Sequence, residues 1–250
     1  MEKPRKPYAV GNTASIFIEN NQVIKLYREN TPDNEALFEA EKQKYVHSLG
    51  LPVPKVLKIE SMGGRQALYM EFINGETLGS KALSNKKELE NYLLKSIYWQ
   101  QKIHQYQATE LPDWHGRLQE KVEQAPFLNT SQLEWVLNHL SNLPKGHSLC
   151  HGDFHLFNII QDVKEDVYII DWVDAVSGCP EADICRTYLL YIQFSKEIAD
   201  LYIRFIQEKT PYQLSDVYRW LPVLAAARLA EGVSDEQPER LIEMINFWME

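Results

Sequence analysis

The octapeptide HGDFHLFN, from His151 to Asn158, and the hairpin pattern that follows it restrict the fold of this chain more than any other feature. A strand-like NII leads into a polar turn from Asp162 to Asp166 and then a second strand, VYII, which ends at Asp171. With the turn centred between Lys164 and Glu165, Asn158 falls opposite Asp171, at the spacing of about 5 Å typical of paired residues. An amide oxygen and a carboxylate then converge on one point. Such hard donors suit Mg2+, which takes one or two protein ligands and completes its shell with phosphate oxygens and water. Asp153 precedes Asn158 by five positions and lies outside the hairpin. It is available to orient a hydroxyl group and to accept its proton.

Two other readings compete for these residues. Aspartates of a polar turn can cap helices while histidines pack, which leaves the order Asp, Asn, Asp coincidental. Alternatively, His151, Asp153, His155 and Asp171 form a metal cluster for hydrolysis. The second reading leaves Asn158 and the whole N-terminal third without a role.

HGDFHLFNI resembles the HGDxHxxN loop of the aminoglycoside phosphotransferase and choline kinase family, and IIDWVDA is similar to its metal-binding IDW segment. The order of an Asp, a later Asn and a strand-borne Asp also resembles the catalytic segments of protein kinases, with Trp172 and Val173 replacing the Phe and Gly of their DFG motif. The resemblance implies an α+β, two-lobed protein-kinase-like fold, with a small antiparallel-sheet N-lobe carrying one helix and a larger, mostly helical C-lobe. It implies Asp153 as catalytic base, Asn158 and Asp171 as Mg2+ ligands, and His151 as a supporting residue of the loop. Asp183, in PEADICRTYLL, resembles the family Asp that braces this loop from a helix start. Relatives commonly carry Pro and Gly before the Asn, where this chain has Leu156 and Phe157. That departure alters the backbone path of the loop and removes no reactive group. The likeness in element order runs from about Ala9 to Leu189, and its specific part from His151 to Asp183.

A kinase needs a cation for the α and β phosphates and a carboxylate to hold that cation. Lys25, in the apolar run VIKLY, is the candidate, against the alternative of an edge-strand lysine pointing to water. Glu35, Glu39 and Glu41 are its possible partners on the next helix, and Glu39 matches the family position best when counted back from LPVP. The turn from Gly11 to Ser15, with Asn12 and Thr13, is expected to present backbone amides to phosphates, or else is a plain turn. YMEFI, with Glu71 and Ile73, falls where the family hinge binds adenine through backbone groups.

The expected activity is transfer of the γ-phosphate of ATP, with GTP as an alternative donor, to a small-molecule hydroxyl in the presence of Mg2+. A catalytically inactive nucleotide-binding protein is the second reading. Charge narrows the partners. The chain carries a net charge of −9, which disfavours a nucleic-acid backbone. Residues 1–73 have ten Lys and Arg against nine Asp and Glu, whereas residues 74–250 have sixteen against twenty-six. The acidic portion makes an amine-bearing, cationic acceptor attractive. Without a signal-peptide pattern or a run of about 18 apolar residues, a cytoplasmic enzyme with no membrane partner is expected. Cys150, Cys179 and Cys185 form no CxxC pair and are expected as reduced, structural thiols. Sequence leaves the oligomeric state open.

Along the chain, short strands are expected at Tyr8–Val10, Ile16–Ile18 and Val23–Tyr27, with a turn at Asn20 and Asn21. Thr31 and Pro32 are expected to start a helix that stops at Gly50. Gln66–Ile73 reads as a buried strand and Asn74–Gly79 as a linker, which divides the chain into 1–73, the nucleotide-binding part, and 74–250, with the catalytic loop, metal site and acceptor pocket. Asn85 and Glu88 suggest a capping pair for a long helix, and the chain from Ser131 is mostly helical apart from Leu149–Asp171.

Overall fold

The computed structural model describes residues 6–11, 13–233 and 235–250. The chain divides into two compact units, Met1–Lys81 with Phe157–Val173, and Ala82–Leu156 with Asp174–Glu250.

The first unit holds a five-stranded antiparallel sheet in the order β1 (Ala9–Val10), β2 (Ala14–Glu19), β3 (Gln22–Tyr27), β5 (Arg65–Glu71), β4 (Val56–Met62). Both two-residue hairpin turns have positive φ at each central residue, at Asn20 (48°) and Asn21 (60°) and at Gly63 (59°) and Gly64 (81°). Their twist matches that of the flanking strands. Helix α1 (Glu35–Ser48) packs Ala36 and Ala40, one turn apart, against Ala14, Tyr27 and Leu68 of the sheet. Ile24, Leu26, Ala67 and Tyr69 form a separate core cluster. Side-chain alternation along β3 therefore turns Lys25 and Tyr27 the same way, toward α1.

Helix α1 begins at Glu35, beyond the expected start at Thr31. Its N-cap, Asn34, is left-handed (φ 73°) and gives no side-chain cap. Gln66 on β5 does that work, accepting from the Ala36 amide (3.0 Å) and donating to the Pro32 carbonyl (2.8 Å). A cap from a distant strand leaves no local signature. The buried face is also not the apolar one, since Glu39 and Gln43 are buried while Leu37 and Phe38 are exposed.

The expected linker contains a strand. β6 (Gly75–Thr77) pairs with β8 (Ile159–Asp162), which pairs with β9 (Val167–Ile169). This three-stranded ladder draws Phe157–Val173 into the first unit, so division by packing differs from division along the chain at residue 73. α2 (Leu78–Ser84) follows directly, and Asn85 makes no side-chain cap for the 3-10 turn that precedes α3 (Leu89–His104).

In the second unit, α4 (Trp114–Glu123) is capped by Asp113, whose side chain accepts from the Gly116 amide (2.9 Å). A reciprocal capping box of Asn129 and Gln132 starts α5 (Thr130–Ser141). β7 (Ser148–Cys150) pairs with β10 (Val176–Gly178), and α6 (Pro180–Phe194) begins with proline in its first turn. α7 (Lys196–Lys209), α8 (Leu214–Tyr218), α9 (Leu221–Leu229) and α10 (Pro238–Met249) complete the unit. Tyr191, Tyr202 and Trp220 are buried, while Phe194 is exposed. The three cysteines are free and buried. Among the described residues no helix is long and apolar enough to cross a membrane.

Candidate active site

Lys25 lies on a central strand, not an edge, and is 8% exposed. Its Nζ donates to Glu39 Oε1 (2.8 Å) and to Asp171 Oδ1 (3.0 Å). Tyr27, two positions on, donates its hydroxyl to Glu39 Oε2 (2.5 Å). Burial alone would lower the Lys25 pKa, but the charges of Asp171 and Glu39 outweigh it and raise it. Glu39 is raised as well, by burial and by the negative charge of Asp171, against the opposing pull of Lys25. Two carboxylates thus share one ammonium group. Of the three candidate partners, Glu39 is the buried one, while Glu41 is exposed and Glu35 half-buried. Sequence reasoning misses Tyr27, whose one signal is its place on the same strand face as Lys25.

The hairpin after Asn158 closes one register away from the expected one. Ile159 pairs with Ile169 and Gln161 with Val167, so Asn158 accepts the Ile170 amide (3.0 Å) and Asp171 falls just past the pair. The loop has three residues, not the even number that a centre between Lys164 and Glu165 requires. Glu165 takes a left-handed φ of 71°, and the Asp162 carboxylate accepts from the amides of Lys164 (2.8 Å) and Asp166 (2.9 Å). Such a loop is a type I turn followed by a left-handed residue. A one-residue slip would send Asp171 to the opposite face of a regular strand. Asp171 instead adopts φ 65°. It leaves the ladder there, and its carboxylate reaches Lys25. Trp172, wholly buried, anchors the turn by donating Nε1–H to the Ile169 carbonyl (3.0 Å). The donor set of one amide and one carboxylate, at adjoining register positions with the Lys25 charge beside them, fits Mg2+ bound largely through phosphate oxygens and water.

The other expected nucleotide contacts are mixed. Gly11 gives its amide to the Ala14 carbonyl (2.9 Å), and Thr13 accepts the Arg28 amide (3.0 Å). Ser15 pairs with Val10 in the β1–β2 ladder. Asn12 lies outside the described residues. The Glu71 amide is engaged by the Lys55 carbonyl (2.9 Å), and Ile73 is buried.

In the second unit the loop that begins at His151 is braced through its backbone. Asp183, fully buried in the first turn of α6, accepts the Gly152 amide at Oδ1 (2.8 Å). Its Oδ2 meets His104 Nε2 (2.9 Å) and Gln100 Nε2 (3.3 Å) from α3. Burial would raise its pKa, but His104, the Gly152 amide and His151 hold it below the ordinary carboxylate range. Gly152 has φ +80°, and an added Cβ would lie 2.5 Å from the Asp174 carbonyl oxygen. His151 is fully buried and packs edge-on against Phe154. Leu156 is also buried, with its amide held by the Tyr191 hydroxyl (3.1 Å). The departure from Pro and Gly therefore has an anchor of its own.

Asp153 is half-buried, with His155 Nε2 3.5 Å from its Oδ2. Burial pushes its pKa up, but His155, Arg186 and His151 together take it well below the usual range. Such a carboxylate stays ionised at all physiological pH values, and is suited to aligning a hydroxyl and taking its proton late in transfer. Arg186 links the loop to the helices, donating Nε–H to the Gly152 carbonyl (3.2 Å) and Nη2–H to Glu231 (2.9 Å). Gln100, His104 and Arg186 escape sequence reading because single polar residues on amphipathic helices carry no pattern that distinguishes them from surface residues. Among the described residues no three His, Cys, Asp or Glu side chains are grouped so that they could hold a metal ion.

Residues 7–221 match the phosphotransferase enzyme family (APH). The chain belongs to that family. Among solved structures it is similar to a thermostable mutant of aminoglycoside phosphotransferase APH(4)-Ia, with 14% identity, 97% of this chain and 94% of that one covered in the apo form, and a TM-score of 0.73. The same protein in ternary complex with ADP and hygromycin B gives a TM-score of 0.71 at 14% identity, covering 97% and 92% of the two chains. Choline kinase LicA from Streptococcus pneumoniae gives 0.64 at 17% identity, covering 96% and 91%. The fold is thus the kinase-like one, an antiparallel-sheet region with a helical remainder. A curated relative, acyl-CoA dehydrogenase family member 11 of Rattus norvegicus, is 24% identical over 172 residues, 60% of this chain. The match spans 22% of that relative's length.

Proposed function

We propose that this chain transfers the γ-phosphate of ATP to a hydroxyl group of a small molecule, with Mg2+ bound by Asn158 and Asp171. The observation that carries the reading is the Lys25 ammonium, buried on a central strand and tied to Glu39 at 2.8 Å and Asp171 at 3.0 Å. A cation held by a helix carboxylate and touching a metal-ligand candidate is what phosphate positioning needs. Asn158 and Asp171 would hold Mg2+, which would supply positive charge to offset the negative charge that develops during transfer. Lys25 binds the α and β phosphates, and Glu39 with Tyr27 fixes its direction. Asp153 aligns the acceptor hydroxyl and takes its proton, while Asp183 holds the loop backbone that carries Asp153. The aminoglycoside phosphotransferase structure with ADP and hygromycin B supports a nucleotide and a hydroxylated acceptor as the ligand classes. Membership of the phosphotransferase family supports catalysis over a purely nucleotide-binding role.

The experiment is a screen of amine-bearing, neutral and acidic alcohols with ADP release as readout and Asp153→Asn as control. Acceptor-dependent ADP release that Asp153→Asn lowers by about a hundredfold or more is expected, with Mg·ATP binding retained. Equal turnover by that variant would remove Asp153 from the mechanism. Binding of Mg·ATP without transfer to any acceptor would favour the inactive alternative.

A further inference from the structure

A small hollow in the second unit, with a cavity volume of about 20 Å³, lies beside Gly152, the residue before Asp153, and is walled by Trp114 and Arg117 of α4 and Leu224 of α9. Arg117 and Lys121 lie one helical turn apart on one face of α4 and both line the hollow. Their side chains are 33% and 34% exposed, so a ligand can reach them. The nearest carboxylate oxygen to the Arg117 guanidinium is that of Asp174, at 3.7 Å. That is beyond hydrogen-bond distance. Lys121 donates to Glu231 Oε1 (2.8 Å), but the other oxygen of Glu231 already serves Arg186 (2.9 Å) and Arg228 (2.6 Å). One carboxylate answers three cations. Widening the circle to Arg240, Glu236, Asp174 and Asp153 leaves five cations facing four carboxylates. This occurs in the part of the chain, residues 74–250, where Asp and Glu exceed Lys and Arg by ten.

From this we infer that the acceptor carries an anionic group, a carboxylate or phosphate, beside its hydroxyl, and that the exposed ends of Arg117 and Lys121 bind that group at the rim of the hollow. The inference rests on the kinase reading above and adds the chemical class of the acceptor. Charges more than about 8 Å away are screened at physiological salt. The acidic surface as a whole therefore decides less than the two cations at the rim, and an amine-bearing acceptor would meet like charge there. The Arg117 fork, ion-paired with Asp174 at 3.7 Å but not hydrogen-bonded to it, can present two parallel N–H donors, the geometry that matches carboxylate and phosphate oxygens.

The test is calorimetric titration of the full chain, with Mg2+ and ADP present, using glycerate, glycerol 3-phosphate, glycerol and ethanolamine. At least one of the two anions is expected to bind ten times or more tighter than glycerol, and the preferred one identifies carboxylate or phosphate. Arg117→Gln and Lys121→Gln should each weaken that anion about tenfold, with part of the affinity kept in Arg117→Lys, and leave glycerol unchanged. Stabilisation against heat by Mg·ATP checks that each variant is folded. The inference is overturned where both anions bind no tighter than glycerol, where ethanolamine binds tightest, or where the glutamine variants bind the anions like the unmodified chain. Failure of the wild-type chain to gain thermal stability from Mg·ATP would instead strike the kinase reading itself.

Discussion

Glu39 and Asp183 are both carboxylates withdrawn from water, 2% and 0% exposed, and they are held in different ways. Asp183 accepts from the Gly152 amide, from Gln100 and from His104, with no second carboxylate on any of these donors. Glu39 is held by Lys25 and Tyr27, and Lys25 is shared with Asp171. The pKa of Asp183 is accordingly lowered and that of Glu39 raised, although burial acts upward on both. Donors that face no second carboxylate make a buried carboxylate a structural brace. A shared donor leaves one poised for a change of partners, as the proposed reach of Lys25 to phosphates would require.

The largest effect should come from breaking the brace. Asp183→Ala strands the Gly152 amide and two α3 side chains in the core, and urea unfolding should show a loss of about 3–5 kcal/mol together with loss of phosphate transfer. Gly152→Ala attacks the same loop from the other side, through its positive φ and the Asp174 carbonyl 2.5 Å from the added Cβ. It should cost about 1–3 kcal/mol in the same measurement.

Glu39→Gln sharpens the comparison because it keeps shape while removing charge. Stability at neutral pH should fall by less than the about 3–5 kcal/mol of a buried charge left unpaired, because Asp171 still faces Lys25 at 3.0 Å, whereas transfer should drop about tenfold or more as Lys25 loses its charged tether. A large stability loss in this variant would make Glu39 a brace like Asp183.

Acid titration should separate the two carboxylates by sign. A lowered folded-state pKa contributes stability above the ordinary carboxylate range that disappears as pH falls through the folded value, and a raised one does the reverse. The stability difference between the unmodified chain and Asp183→Asn should therefore shrink on acidification, while that between the unmodified chain and Glu39→Gln should grow. Glu231, pushed down to about 2 by Arg186, Lys121 and Arg228 in spite of its burial, should follow Asp183 and lose its contribution between about pH 4.5 and 2. The smallest effect is reserved for an exposed pair, Arg204 with Glu90 at 3.4 Å. Arg204→Ala should stay within about 0.5 kcal/mol.

Much of this arrangement is legible in the sequence. The strands around Asn20 and Asn21 carry alternating apolar residues and turn chemistry, which are local signals, and the HGDFHLFN and IIDW segments place the candidate site residues in contiguous runs. Lys25 and Glu39 are both readable as candidates, and the structure joins them. The differences between expectation and structure have a common cause. The start of α1 is not readable locally because Gln66 caps it from a strand 30 residues away. Gly75–Thr77 reads as a linker because three residues become a strand only when Gln161 and its neighbours pair with them. The hairpin register differs by one because Glu165 accepts a left-handed φ that its residue type does not advertise.

By itself the sequence determined the family, the kinase-like order of elements and which residues bear oxygen and nitrogen donors, because these reside in runs of neighbouring residues whose period and spacing are readable. Only the tertiary structure decided which donors share a partner. The pull of Asp171 and Glu39 on one lysine, and the crowding of Lys121, Arg186 and Arg228 on Glu231, depend on residues far apart in the chain meeting where water is excluded. Burial there sets the strength of each charge interaction, and no linear spacing records it.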